Sequence, residues 1–277
     1  MEAFFQNLRY LPYRIDPVAF RIGFIQVRYY GIMLLTAFLS VYGLVSYRLK
    51  KEKIGISKEV VDNYLFWVLV ALIAGGRLGY VLFYNLAYYL RNPLEVILPF
   101  RLGNGFEFIG LSGLSYHGSL IGIALATIVF CRKHKVNLWR LADLFSAAVP
   151  LGHFFGRIGN FLNGELYGRV TSVAWGMYFP ADAGNLARHP SQLYQAFFEG
   201  LVLFILLWSF RKKIKTPGLI FCFYLIGYGF LRFLVEFFRQ PDPQLGFVLG
   251  PFSMGQILSF LMILVGFSIL GLKQAKH

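Results

Sequence analysis

Charge is scarce in this sequence. Lys, Arg, Asp and Glu make up 14% of its 277 residues, against about a quarter in a soluble domain, and that deficit excludes an ordinary water-facing globule. Acidic groups are the scarcer: 13 against 27 Lys and Arg, for a formal net charge of +14. There are two cysteines, Cys131 and Cys222, beside or within apolar segments and in no CxxC pair. This gives no disulfide framework and reads as small packing residues. His117, His134, His153 and His189 fall in no ligand spacing, so neither a metal site nor a cofactor is expected. The first 20 residues hold Pro12, Pro17 and scattered Arg rather than a continuous apolar region. No cleavable signal peptide is therefore expected, and the first helix reads as its own insertion signal. Internal repeats, heptads and low-complexity segments are also lacking.

Apolar residues are abundant: 57% of the chain is hydrophobic and 18% aromatic. Seven runs approach the roughly 20 residues that a spanning helix needs: 27–47, 64–83, 117–131, 141–157, 193–210, 219–238 and 253–272. The expected fold is an all-α integral membrane protein, a bundle of about seven transmembrane helices in one polytopic domain over 1–277, with a small polar outer region over 158–192. Lys and Arg lie in short tracts between apolar runs, as topology signals and anionic-lipid contacts do, so no nucleic-acid partner is expected. Fifteen of these basic residues fall in one set of alternate connections and nine in the other. The positive-inside rule then puts the N-terminus outside and the C-terminus in the cytoplasm, which an odd number of spans satisfies.

Glycine pairs four apart recur at Gly75/Gly79, Gly118/Gly122, Gly152/Gly156 and Gly164/Gly168. The first three read chiefly as helix-packing faces. Ionisable groups within hydrocarbon are costly and mark function by default. Those within or at the predicted spans are Arg77, His117, Arg157 and Arg232, with Glu165 and Glu236 as counter-charges. Arg77 reads as a brace of its span rather than a substrate contact. Tyr228, Arg232 and Glu236 recur at i, i+4 on one helical face, with Arg239 close to it. Arg232 lies roughly 10 Å below the outer end of its run, at 1.5 Å per residue. That depth suits a phospholipid phosphate, although an Arg232–Glu236 pair that merely neutralises itself fits equally well. The stretch Gly156–Arg169 holds four glycines, two asparagines, two arginines and a glutamate. It reads as a polar loop lining a cavity, where Arg157 and Arg169 offer donors to phosphate and Asn160 and Asn163 donors to glycerol or phosphate oxygens. Tyr30, His117, Arg157, Asn160 and Arg232 all fall at the outer ends of their runs.

At these residues the chain resembles the bacterial prolipoprotein diacylglyceryl transferases. The likeness covers Arg28–Gly31, Gly75–Tyr84, Tyr116–Gly118, Gly156–Arg169, His189–Tyr194 and Arg232–Asp242, and the Gly156–Arg169 block is the most specific part. The resemblance implies transfer of the diacylglyceryl group from phosphatidylglycerol to the lipobox cysteine of a preprolipoprotein. It also implies a place in the bacterial inner membrane with the active site towards the outer face. Position by position, it implies that Arg157 and Arg232 hold the phosphate. Tyr30, Asn160, Glu165, Gly168, Tyr228 and Glu236 complete the site, His117 is the base, and Asp143 is a recurring acidic position without an assigned role. Tyr228 or the phosphate itself are the other readings of the base. Partners would be phosphatidylglycerol, a lipobox peptide and membrane lipids, with the chain a monomer. Ser112 and Ser119 stand where the family pattern has glycines, and the connection 171–188 is short. The rival classes are a transporter or lipid-binding protein, for which an internal repeat is expected, and a different membrane transferase with a similar phospholipid pocket.

Overall fold

The computed structural model describes residues 2–23, 25–96, 100–101, 107–108, 113–241 and 246–275. The helices, in chain order, are α1 (Glu2–Arg9), α2 (Tyr29–Lys51), α3 (Lys58–Tyr84), α4 (Tyr116–Lys133), α5 (Leu138–Ser146), α6 (Val149–Leu162), α7 (Ser191–Phe210), α8 (Leu219–Val235) and α9 (Met254–Gln274). Short helical turns and three small antiparallel hairpins complete the connections. The chain forms two compact units, residues 55–141 and, together, residues 1–54 and 142–277.

Four helices, α2, α3, α7 and α9, are long and apolar enough to cross a membrane, with mean hydropathies of 1.6 to 2.1. They coincide with four of the seven predicted spans. The other three fall on shorter or more polar helices. α4 opens on Tyr-His-Gly-Ser and closes on Arg-Lys, and α8 has 17 residues. The run predicted over 141–157 is two helices, α5 and α6. Pro150 sits in the first turn of α6, where its missing N–H costs nothing. Large apolar side chains face outward on several helices, among them Leu35 (59% exposed), Phe66 (64%), Leu125 (59%) and Phe267 (55%). So much exposed apolar surface on long helices is what a lipid-facing protein presents.

In the smaller unit, α3 and α4 approach backbone to backbone. A Cβ added to Gly75 would lie 2.6 Å from the Gly118 carbonyl oxygen and 2.9 Å from Gly122 Cα, and one on Gly79 would lie 2.6 Å from Gly118 Cα. The two glycine pairs thus form one face-to-face seam, as their spacing predicted. The third predicted pair does so only in part: a Cβ on Gly152 would meet Val41, while Gly156 has open space around its α-hydrogen. Ser115 caps α4 by accepting from Gly118 N–H at 3.3 Å. Ser119 satisfies its hydroxyl on the Leu72 carbonyl at 2.9 Å; Ser112 lies outside the described residues. Arg77 donates to the carbonyls of Val96 (2.9 Å) and Glu95 and lies 5.1 Å from the Tyr89 ring centroid, fastening α3 to the connection that follows it.

In the larger unit α2 packs on α6, α6 on α7, and α8 on α9. At the end where α2 finishes, Glu52 accepts from Arg48 (2.8 Å) and Arg211 (2.7 Å). Arg48 also donates to the carbonyls of Asp143 and Leu144 at 2.7 and 2.8 Å. The Asp143 carboxylate accepts from Gly218 N–H (2.6 Å) and Phe221 N–H (2.8 Å). It therefore caps the N-terminus of α8, where unpaired amides and the helix dipole favour an anion. At the opposite end Phe161, Met177 and Phe179 form a small core with Leu8, Leu11, Ile15, Tyr167 and Leu193, which joins the 163–190 connection to the N-terminal segment.

The seam in the smaller unit sets a prediction. Gly118→Leu forces α3 and α4 apart, and thermal unfolding of the purified protein should show a loss of at least the roughly 1–3 kcal/mol typical of overpacking.

Candidate functional site: a buried arginine–carboxylate cluster

Tyr30 opens α2, Arg157 and Asn160 lie in the last turns of α6, Glu199 is nine positions into α7, and Arg232 is in the last turn of α8. Helix direction alternates, so these positions gather at one end of the larger unit, where the side chains form a connected network. Arg157 donates from Nη1 to Asn160 Oδ1 at 3.2 Å and from Nε to His153 Nε2 at 3.4 Å. Asn160 Nδ2 donates to Glu165 Oε1 at 2.9 Å. His153 Nε2 lies 3.0 Å from Glu199 Oε2, and the other oxygen of Glu199 is 3.8 Å from Arg232 Nη1. Arg232 pairs with Glu236 at 2.8 Å, and Arg239 reaches the same carboxylate at 3.3 Å. Ser253 Oγ donates to Glu236 as well, at 3.0 Å. Glu199 and Glu236 are buried, at 0% and 1% exposure.

The charges are tolerable there because they come in opposite pairs. An isolated charge in a low-dielectric interior is costly, and a hydrogen-bonded partner offsets much of that cost. Each guanidinium nevertheless keeps more N–H groups than one carboxylate can engage, which leaves the cluster able to receive a further anion.

Local sequence explains how these side chains are presented. The predicted loop from Gly156 begins only at Asn163. Gly156 to Leu162 remain helical, because Gly159 lets α6 press against Tyr30 and Met33 of α2, at 3.1 and 3.0 Å from where a Cβ would stand. This packing overrides the weak helix propensity of glycine. Gly164 takes φ +71° and ends the helix in the left-handed conformation. That turn returns Glu165 to Asn160, whose carbonyl also accepts the Glu165 N–H at 3.1 Å. Gly168 has a spacing role. Its N–H donates to the His189 carbonyl at 2.8 Å, and a Cβ there would collide with the Phe238 carbonyl and with His189.

Of the residues predicted from sequence, Tyr30, Arg157, Asn160, Glu165, Tyr228, Arg232 and Glu236 belong to this end of the larger unit. Tyr228 stands edge-on to His153, with ring centroids 5.5 Å apart. Arg169, expected to offer donors to phosphate, instead donates to the carbonyls of Arg239 (3.0 Å) and Glu236 (3.4 Å) and covers the C-terminal end of α8. His117 belongs to the smaller unit, exposed in the first turn of α4. Asp242, the last residue of the Arg232–Asp242 motif, lies outside the described residues.

Sequence reasoning missed His153, Glu199, Gln192 and Gln195. The signal for Glu199 was available, since it is a carboxylate inside the predicted 193–210 run. Glu199 sits in a π-helical stretch, Ala196–Val202, a geometry found mostly at functional sites. Gln192 and Gln195 are both 0% exposed. Gln192 donates to the Glu165 carbonyl at 2.6 Å. Its Oε1 and both polar atoms of Gln195 have no hydrogen-bond partner among the described residues. Each unmet buried polar group costs about 1–3 kcal/mol.

Beside the cluster, the 163–190 connection carries its own ion pair. Arg188 meets Asp182 with two parallel hydrogen bonds, both 2.8 Å. They hold the Asp182 carboxyl below the usual carboxylate range.

The long apolar helices, their outward-facing side chains and the internal ion-paired cluster define a helical integral membrane protein with a polar site at one end of its helices. The model of the prolipoprotein diacylglyceryl transferase family matches residues 17–272, and the chain belongs to that family. It is 52% identical over 263 residues to a phosphatidylglycerol–prolipoprotein diacylglyceryl transferase of Chlorobaculum tepidum, covering 95% of this chain and 91% of the relative. Proteins of the same name from Wolinella succinogenes and Geobacter sulfurreducens are 46% and 45% identical, each over 255 residues. The Wolinella match covers 91% of both chains; the Geobacter match covers 92% of this chain and 94% of that one.

The Asp182–Arg188 pair yields a pH prediction. A carboxyl whose folded pKa is depressed contributes stability that is fully present above its unfolded value, about 3.9, and is lost as pH falls through the lower folded value. Acid should therefore loosen the 163–190 connection below about pH 4. Hydrogen exchange should show Asp182→Asn already loosened at neutral pH and with a weaker acid response.

Proposed function

We propose that this chain transfers the diacylglyceryl group of phosphatidylglycerol to the lipobox cysteine of a preprolipoprotein, the first step of lipoprotein maturation. The observation that carries the reading is the meeting of Arg157 and Arg232, from two different helices, around the buried Glu199 and the Arg239-linked Glu236. This cluster suits the phosphate of the donor lipid. In the reaction the thiol loses its proton, the sulfur forms a C–S bond to the glycerol carbon, and that carbon's C–O bond to phosphate breaks. Glycerol phosphate leaves with the bonding electrons. Its oxygen gains charge as the bond breaks, and the arginines stabilise that charge where it develops.

Asn160 and Glu165 hold Arg157 in place. Glu236 and Glu199 do the same for Arg232, and Tyr30 and Tyr228 flank the pocket. Gly168 keeps the 166–170 segment close enough for Arg239 to reach Glu236. His117, carried over from the family pattern, is the base that takes the thiol proton, since a thiol of pKa about 8.5 is mostly protonated at neutral pH.

The chain crosses the bacterial inner membrane seven times as a single polytopic domain and works as a monomer. Its N-terminus and site lie at the outer face and its C-terminus in the cytoplasm. The basic tracts after α2, α4 and α7 support this orientation. The partners are phosphatidylglycerol, the lipobox peptide and the surrounding lipids.

The test is the mass of a lipobox peptide incubated with purified protein and phosphatidylglycerol. It should rise by one diacylglyceryl group, and an unmodified peptide beside folded protein refutes the reading. Arg157→Ala and Arg232→Ala should each lower turnover by about 100-fold or more while the protein still inserts. A His117→Gln variant with full activity removes the histidine from the mechanism.

A further inference from the structure

α7 is built inside out. Phe197 and Phe198 are exposed, at 50% and 43%, whereas Gln192, Gln195 and Glu199 are fully buried. The three polar residues stand at i, i+3 and i+7, on one helical face. Both ends of this polar row are anchored: Gln192 donates to the Glu165 carbonyl, and Glu199 meets His153 and faces Arg232. Gln195 lies between them, on the face that runs from the Asn160–Glu165 pair to the Arg232–Glu199 pair. Its amide carries two donors and two lone pairs, and none of them is met among the described residues, nor is Gln192 Oε1. Buried polar atoms in native proteins are almost always paired, with protein, water or ligand.

We propose that Gln195, with Gln192 Oε1 beside it, is the subsite that reads the hydroxyl groups of the donor lipid's head. This deepens the proposed function and rests on it. The arginines fix the phosphate, and the head attached beyond it reaches the polar row of α7. A vicinal diol both donates and accepts, so it satisfies the amide in both senses. An ammonium head only donates, leaves the Gln195 NH2 unmet, and enters beside Arg157, Arg232 and Arg239. A propyl head satisfies nothing. The row therefore selects a neutral polyol phospholipid and rejects the other two, because a site built to bond a hydroxyl is left with unmet buried groups when that hydroxyl is missing.

The experiment compares kcat/KM for lipobox-peptide modification by the full-length protein with two donors, phosphatidylglycerol and phosphatidylpropanol, which differ only in the two hydroxyls. The wild type should favour phosphatidylglycerol by at least about 100-fold, and Gln195→Met should cut that ratio by at least about tenfold. A wild type that uses both donors equally overturns the proposal without any variant, and so does an active Gln195→Met enzyme with an unchanged ratio. If Gln195→Met fails to fold, Gln195→Asn, which keeps the amide but withdraws it by one methylene, takes its place under the same two outcomes. Failure of the underlying function looks different: no transfer from phosphatidylglycerol by the wild type.

Discussion

Everything at the polar end of the larger unit depends on keeping arginine charge inside a protein surrounded by hydrocarbon. Placing ions in such surroundings is unfavourable unless each has a partner within hydrogen-bonding distance. The chain meets this condition by drawing opposite charges from separate helices. Glu199 comes from α7, Arg157 from α6, and Arg232 with Glu236 from α8. The arrangement closes only when all three helices are in place, so the electrostatics of the site and the packing of the bundle are the same constraint. Because the partners are carboxylates, the cluster is near neutral without a bound lipid and has cationic donors left for one.

The opposite end of the unit uses the same chemistry for a different purpose. Arg48, Glu52 and Arg211 bind α2 to the start of the α7–α8 connection, and Asp143 caps α8. Here each carboxylate oxygen is met by backbone N–H groups or guanidinium groups, and little capacity is left over. The contrast between a saturated cluster and one with unmet amide atoms separates a clasp from a binding site more sharply than residue identity does. Asp143 belongs to the first kind, which gives this acidic position a physical role.

Much of this was legible in the sequence. Hydropathy located helices at all seven predicted runs, and the glycine pairs of α3 and α4 announced their own seam. The i, i+4 spacing of Tyr228, Arg232 and Glu236 gave the Arg232–Glu236 contact directly. Three things were not legible, each for its own reason. The helical continuation of Gly156–Leu162 rests on contact with Tyr30 and Met33, more than 120 residues away in sequence, which local propensity cannot register. Arg169 looked like a ligand-binding arginine because composition does not distinguish a free donor from one bonded to a helix end. Glu199 and the two glutamines were overlooked inside an apolar run, where average hydropathy conceals a single polar face.

The π-helical turn of α7 makes that face sensitive to the length of the chain as well as to its composition. A wide turn holds one more residue than an α-helical turn over the same stretch, so it fixes the angle between the start of α7 and its later half. Losing one residue between Ala196 and Val202 would let the turn tighten and would change that angle by about 100°, the rotation per residue of an α-helix. No side chain of the cluster would have been replaced, yet Gln192 and Gln195 would no longer share a side with Glu199. The site is thus encoded partly as a count of residues, and a single-residue deletion there is equivalent to removing several functional groups at once.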